Sequence, residues 1–99
     1  VISQYGMTQI ANRVSTLLAQ GAYIKDGQKV TVPVFRKEHS GNTIKVYLYL
    51  TDEDVGTFSE FQILDEEGNV ILSKPDSIIK DASKGLLIAF EVRIQEVEN

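Results

Sequence analysis

Residues Ile44 to Leu50, "IKVYLYL", constrain the fold more than any other stretch. Side chains alternate along a strand, so Ile44, Val46, Leu48 and Leu50 fall on one side and Lys45, Tyr47 and Tyr49 on the other. The first set is a core face. The second is not the ordinary solvated face of an antiparallel sheet, because two of its three members carry aromatic rings. The segment "GLLIAFEVRIQEV" repeats the arrangement: Leu86, Ile88, Phe90, Val92 and Ile94 share one face, while Leu87 and Ala89 keep the other partly apolar. Such a sheet needs cover on both sides. One helix can cover one side. The other is covered by the remaining strand-forming chain or by another subunit, and the sequence leaves both open.

The helix comes first. Met7, Ile10, Ala11, Val14, Leu17 and Leu18 recur at helix-neighbour spacing and predict a helix over about residues 3–20. Ser3 supplies an N-cap oxygen, and Gly21 offers the left-handed residue that closes a helix. Gly6 weakens the first turn and draws the expected start toward Met7. From about residue 29 to 98 the chain reads as strands. "KVTVPVF" puts Val30, Val32 and Val34 on one face, with Pro33 pointing to a sheet edge or a bulge. "RKEHSGNT" and "KPDS" read as polar turns, "TDEDVG" as an acidic loop, and "IIK" as a short strand of its own. "TFSEFQIL" and "NVILS" read as strands on either side of "LDEEGNVI". The expected fold is α+β: an N-terminal helix packed on a mostly antiparallel β-sheet or small β-sandwich, in a single domain over residues 1–99.

Composition narrows the function classes. The chain is 42% hydrophobic and 24% charged, which suits a globular core and argues against disorder. It has no cysteine, hence no disulfide framework and no thiolate metal site. Ten Lys and Arg are scattered among fourteen acids for a net charge of −4, so the basic footprint of a nucleic-acid binder is missing and no such partner is expected. No apolar run approaches the roughly 18 residues of a membrane span, and no membrane partner is expected.

The polar residues give little sign of chemistry. His39 stands beside Ser40 in an expected turn, and adjacent residues do not supply the base, nucleophile and orienting acid of a serine-type site. Asp52, Glu53 and Asp54, and then Asp65, Glu66, Glu67 and Asn69, lack the alternating spacing of a calcium loop. The glycines are isolated and form no phosphate cradle. The reading is therefore no catalytic residue, no metal ligand, no cofactor and no enzyme. Phe35, Phe58, Phe61 and Phe90 are assigned to the core. Tyr47, Tyr49, Leu87 and Ala89 are the candidate interface, since tyrosine joins an apolar ring to a polar tip.

"LDEEGNVI" is a hairpin signal, with Asp65 capping the turn through its side chain, Gly68 supplying positive φ, and Asn69 completing it. The wider stretch "FSEFQILDEEGNVILSKPD" resembles a segment of bacteriophage tail-fibre and baseplate-associated proteins of the tail-collar type. Ser59 and Glu60 stand where those proteins carry Thr and Glu. Phe61, Ile63 and Leu64 keep the apolar positions, and Asp65, Gly68 and Asn69 keep the turn. Gln62 departs from the usual glycine, and the Gly-x-Gly stretch that follows the helix in that family is replaced by "GAYIKDGQKV". A helix of the "MTQIANRV" kind ahead of the strands and a long closing strand also agree.

The resemblance implies a virion structural protein of the tail, baseplate or neck, made in the bacterial host cytoplasm. It implies homo-oligomeric contacts, other virion structural proteins as partners, and no catalytic residues. The alternative expectation is a small carbohydrate- or receptor-binding module, which exposed tyrosines and acidic loops would also serve.

Overall fold

The computed structural model describes residues 1–97 and is an α+β fold: one N-terminal helix and two antiparallel sheets. Helix α1 spans Gln4–Leu17. Ser3 caps it, its Oγ accepting from the Gly6 N–H at 3.0 Å, so Gly6 lies inside the first turn and the helix does not wait for Met7. It also stops short of residue 20. The Leu18 N–H donates to the Ser15 carbonyl at 3.2 Å, and Ala19 already donates to the Leu64 carbonyl at 2.9 Å. Competing strand pairing ends the helix, so Gly21 is not its closing residue.

Gly21 belongs instead to β1 (Gln20–Lys25), which pairs with β2 (Gln28–Pro33) through a two-residue turn. Asp26 at φ 48° and Gly27 at φ 86° give the two positive φ values that such a tight hairpin requires. Strand structure thus begins at Gln20 rather than near 29. Of the expected β-rich span 29–98, Glu98 lies outside the described residues, as does Asn99 of the span 1–99. Pro33 ends β2, an edge strand.

Two expected turns are strands. Arg36–Ser40 is β3, paired with β4 (Thr43–Leu50) through a turn at Gly41 and Asn42, and Gly41 sits at φ 59°. "KPDS" lies within β6, which runs unbroken from Val70 to Lys80, so "IIK" is not a separate strand. Pro75 is tolerated there because β6 is an edge and bulges at that point. Ser59 pairs with Ser77 but Phe61 with Lys74, which leaves Pro75 and Asp76 opposite Glu60. Glu60 takes φ 50° at the same irregularity, where β5 (Gly56–Leu64) also gains a residue against β1. The last strand, β7, is Leu86–Arg93.

The strand orders are β2-β1-β5-β6 and β3-β4-β7. Between the sheets lie Tyr23, Phe58, Phe61 and Ile63 from the first, and Ile44, Val46, Leu48, Leu50 and Phe90 from the second. Tyr23 and Phe58 meet edge to face, 5.4 Å between ring centroids. Helix α1 adds Ala11 to the core, Leu18 just past its end joins it, and Val14 packs against it. Ile10 and Leu17, expected on the same stripe, are exposed on its flank. Lys37 of β3 donates to the Ser15 carbonyl at 2.6 Å near the end of the helix. Ile2 to Thr8, at its start, border the Gly41–Asn42 turn. The inner face of the three-stranded sheet is therefore covered by this chain's own helix and four-stranded sheet. The molecule is elongated, 48 × 25 × 25 Å.

Candidate interaction face

Both outer sheet faces carry exposed apolar side chains. On the four-stranded sheet, the outward positions of β5 and β6 carry Thr57, Ser59, Gln62, Ser73 and Ser77 together with the exposed Ile71 and Ile79. On the three-stranded sheet, alternation that buries Ile44, Val46, Leu48 and Leu50 turns Lys45, Tyr47 and Tyr49 outward. Antiparallel register sets Tyr47 beside Ala89 and Tyr49 beside Leu87. The structure thus brings all four candidate interface residues onto one face.

A fifth member was assigned to the core by sequence and is not there. Phe35 is 56% exposed, and its ring lies 4.9 Å from that of Tyr49. Its backbone explains the placement: the Phe35 N–H donates to the Tyr47 carbonyl at 2.9 Å, extending the β3–β4 ladder by one bond where the chain crosses between the sheets. Leu87 is 52% and Tyr49 41% exposed, while Tyr47 is half-buried. Tyr49 also leans over Gly85, where any Cβ would collide with its phenol ring. The clue available in sequence was "VPVF": Val30, Val32 and Val34 pack against the core, so simple alternation turns Phe35 away from it.

Charges frame this apolar patch. The row Glu38–Lys45–Glu91 runs across the three strands, Arg36 pairs in register with Tyr47, and Arg93 with Thr43. Arg36 and Glu38 form an exposed ion pair at 3.1 Å.

The four sheet edges are guarded. Lys74 of β6 donates to the Ala89 carbonyl on the free side of β7 at 2.7 Å and sits 5.6 Å from the Phe90 ring centroid. Pro75 interrupts β6, Pro33 ends β2, and Lys37 ties β3 to the helix. Lysine and proline on edges are common means of refusing a further strand.

The other polar residues stay apart or act locally. His39 is on β3, not in a turn; its Nε2–H donates to the Gly41 carbonyl at 3.0 Å. Among the described residues no three His, Asp or Glu gather as a metal site. Asp54 accepts from the Thr51 N–H at 2.7 Å inside its own loop.

Asp65 closes the β5–β6 hairpin. Its Oδ1 accepts from the Glu67 and Asn69 N–H groups at 2.9 and 2.8 Å, and Gly68 sits at φ 90°. These bonds, the Asn69 backbone first, hold the Asp65 carboxyl below its ordinary pKa. Lys80 is the one buried charged side chain among the described residues, and sequence reasoning missed it. Its ammonium donates to the Asp54 and Asp81 carbonyls at 2.8 and 3.0 Å, binding the acidic loop to the end of β6. Burial, then the charge of Asp54, raises the Tyr23 pKa. Among the described residues no helix is long and apolar enough to cross a membrane.

The arrangement presents a partly apolar surface, with its polar residues apart or engaged in local bonds among the described residues. Comparison with protein-family models, with curated proteins and with solved structures gives no match.

Proposed function

We propose that this chain is a non-enzymatic assembly module of a bacteriophage virion, in the tail, baseplate or neck, working through homo-oligomeric contacts and contacts to other virion proteins. The observation that carries the reading is the uncovered face formed by Phe35, Tyr47, Tyr49, Leu87 and Ala89. Contiguous apolar patches on a small soluble domain mark interaction sites. The shape supports it: the Cα radius of gyration is 15.3 Å, against about 12.6 Å for a compact chain of this length. The exposed area of 6534 Å² likewise exceeds the roughly 5,600 Å² of a typical monomer of this mass. The virion assignment itself rests on the tail-collar resemblance of "FSEFQILDEEGNVILSKPD".

Two measurements test it. Light scattering over a range of concentrations should give a mass of two or more chains, and a monomer at high concentration counts against self-assembly. Peptides of the chain should be found in density-purified phage particles from its source, and their absence from every particle fraction counts against the virion role. The Phe35–Tyr49 ring pair favours one second reading, a carbohydrate-binding module, because sugar rings stack on exposed aromatics. A glycan array with no hit, with and without calcium, removes that reading.

A further inference from the structure

We infer that the flank between β6 and β7 holds a separate binding site, which takes a small apolar carboxylate with its acid group on the Lys80 ammonium. The site lies apart from the Tyr47–Tyr49 face and does not depend on the assembly reading above.

The strands β6 and β7 are edges of different sheets and share no ladder. Where the chain passes from one to the other lies a cavity of about 370 Å³. It is lined by the end of β6 from Ile78 to Lys80, by Asp81, Ser83, Lys84 and Gly85 of the connection, and by Leu86. That volume is at the lower end of the roughly 300–1,000 Å³ of small-molecule sites. Alternation explains the walls. Ile78 and Lys80 turn inward on β6, and Leu86 shares the inward face of β7 with Ile88 and Phe90. Leu86 is nevertheless 37% exposed, so the two inner faces do not close on each other here.

Lys80 supplies the polar end. The residue is only 7% exposed, and an ammonium carries three donors. Two are used, on the Asp54 and Asp81 carbonyls at 2.8 and 3.0 Å. The third has no acceptor, and no carboxylate forms an ion pair with Lys80, among the described residues. Asp81, next in the chain, gives its Oδ1 to Ser83 instead, accepting from the backbone N–H at 3.0 Å and from the hydroxyl. Buried charges are ordinarily paired, whereas this one is held by carbonyl dipoles alone. Lys80 and Asp81, the cation and one of its two acceptors, both line the cavity. The unused donor and the open volume therefore meet at one place.

The lining selects the ligand. Ile78, Ile79 and Leu86 offer apolar surface, and Lys84 adds a second cation. The Asp81 carboxylate belongs to the same lining and opposes a doubly charged anion more than a singly charged one. A phosphate also wants several converging donors, which one spare N–H does not provide. A singly charged acid with a hydrocarbon body satisfies all of these: its carboxylate takes the charge-assisted bond from Lys80, and its chain lies against Ile78 and Leu86.

The probe is sodium octanoate, titrated into isotope-labelled protein and followed through backbone amide chemical shifts. Saturable shifts centred on residues 78–86 are expected. Octanamide, the uncharged analogue, and inorganic phosphate should each bind about tenfold more weakly or worse. Lys80→Met should erase the preference for acid over amide. If that variant loses its fold along with its two carbonyl bonds, Leu86→Glu decides instead. Leu86 is partly exposed, and a carboxylate there should weaken octanoate by about tenfold with an unchanged circular dichroism spectrum. Shifts that never saturate, or that centre on Tyr47 and Tyr49, overturn the site. Octanamide or phosphate binding as well as octanoate overturns the role of Lys80, as does octanoate affinity unmoved in a folded Lys80→Met or in Leu86→Glu. A monomeric mass in light scattering removes self-assembly and leaves this site intact.

Discussion

Gly21 shows how a single residue can be read correctly as special and wrongly as to why. It sits in β1, and a Cβ there would drive into the Leu48 side chain of the facing sheet. The two sheets approach more closely at this point than any larger residue permits. Gly21→Ala should therefore destabilise the fold by about 1–3 kcal/mol through overpacking, read as a lower Tm with unchanged strand content by circular dichroism. The sequence marks Gly21 as a position of special need after an apolar helical run, which is also the signature of a helix end. It does not display Leu48, whose proximity exists only after the sheets pack. Asp65 is the opposite case. Its partners Glu67, Gly68 and Asn69 are neighbours in sequence, so its role in the turn can be read locally. Because folding lowers its pKa, its contribution is present above the unfolded value near 4 and lost as pH falls through the lower folded value. Asp65→Asn should flatten that part of the acid unfolding curve. An unchanged slope below about pH 4 would remove Asp65 as its source.

At the scale of elements, the alternating core faces of β4 and β7 were legible because each strand carries its own pattern. The four-stranded sheet was harder. β1 was missed although Asp26 and Gly27 form a strong hairpin dipeptide, because "GAYIK" follows the helix directly and buries three successive residues, which masks alternation. β3 and the middle of β6 were read as turns from Ser, Gly, Asp and Pro. Both are edge strands, whose polar composition is the mark of an edge rather than of a turn. Lys74 gives this a consequence: it holds the Ala89 carbonyl and joins the two sheets on that flank. Lys74→Ala should leave the fold in place and expose the β7 edge, speeding fibril growth in a thioflavin assay under mildly destabilising conditions. Unaltered kinetics would show that the edge is protected by something else. Ser3→Ala should cost about 1 kcal/mol through loss of the helix cap, measured by urea unfolding.

For the whole molecule, the sequence foresaw a sheet apolar on both sides and left open what covers the second. The structure divides the answer: helix and sister sheet cover the inner face, and the outer face stays bare. Phe35 was the part of that face assigned wrongly: its aromatic ring suggested the core, whereas the alternation of Val30, Val32 and Val34 turns it outward. Tyr47→Ala with Tyr49→Ala should weaken self-association at least tenfold, about 1.4 kcal/mol, with little change in monomer Tm. A double variant of unaltered mass at every concentration would take the tyrosines out of the interface.

The bare face is composite: Tyr47 and Tyr49 come from β4, whereas Leu87 and Ala89 come from β7, the last strand among the described residues. A ribosome that has made β4 has made only half of it. Nascent chains clustered on one message therefore present nothing for their neighbours to grip until synthesis has passed Arg93 and β7 has docked. In the proposed assembly, docking of β7 would therefore set when association can begin. Translation halted after Lys84 should yield nascent chains that fail to capture the finished protein, while a halt well beyond Arg93, with the strand clear of the exit tunnel, should restore capture.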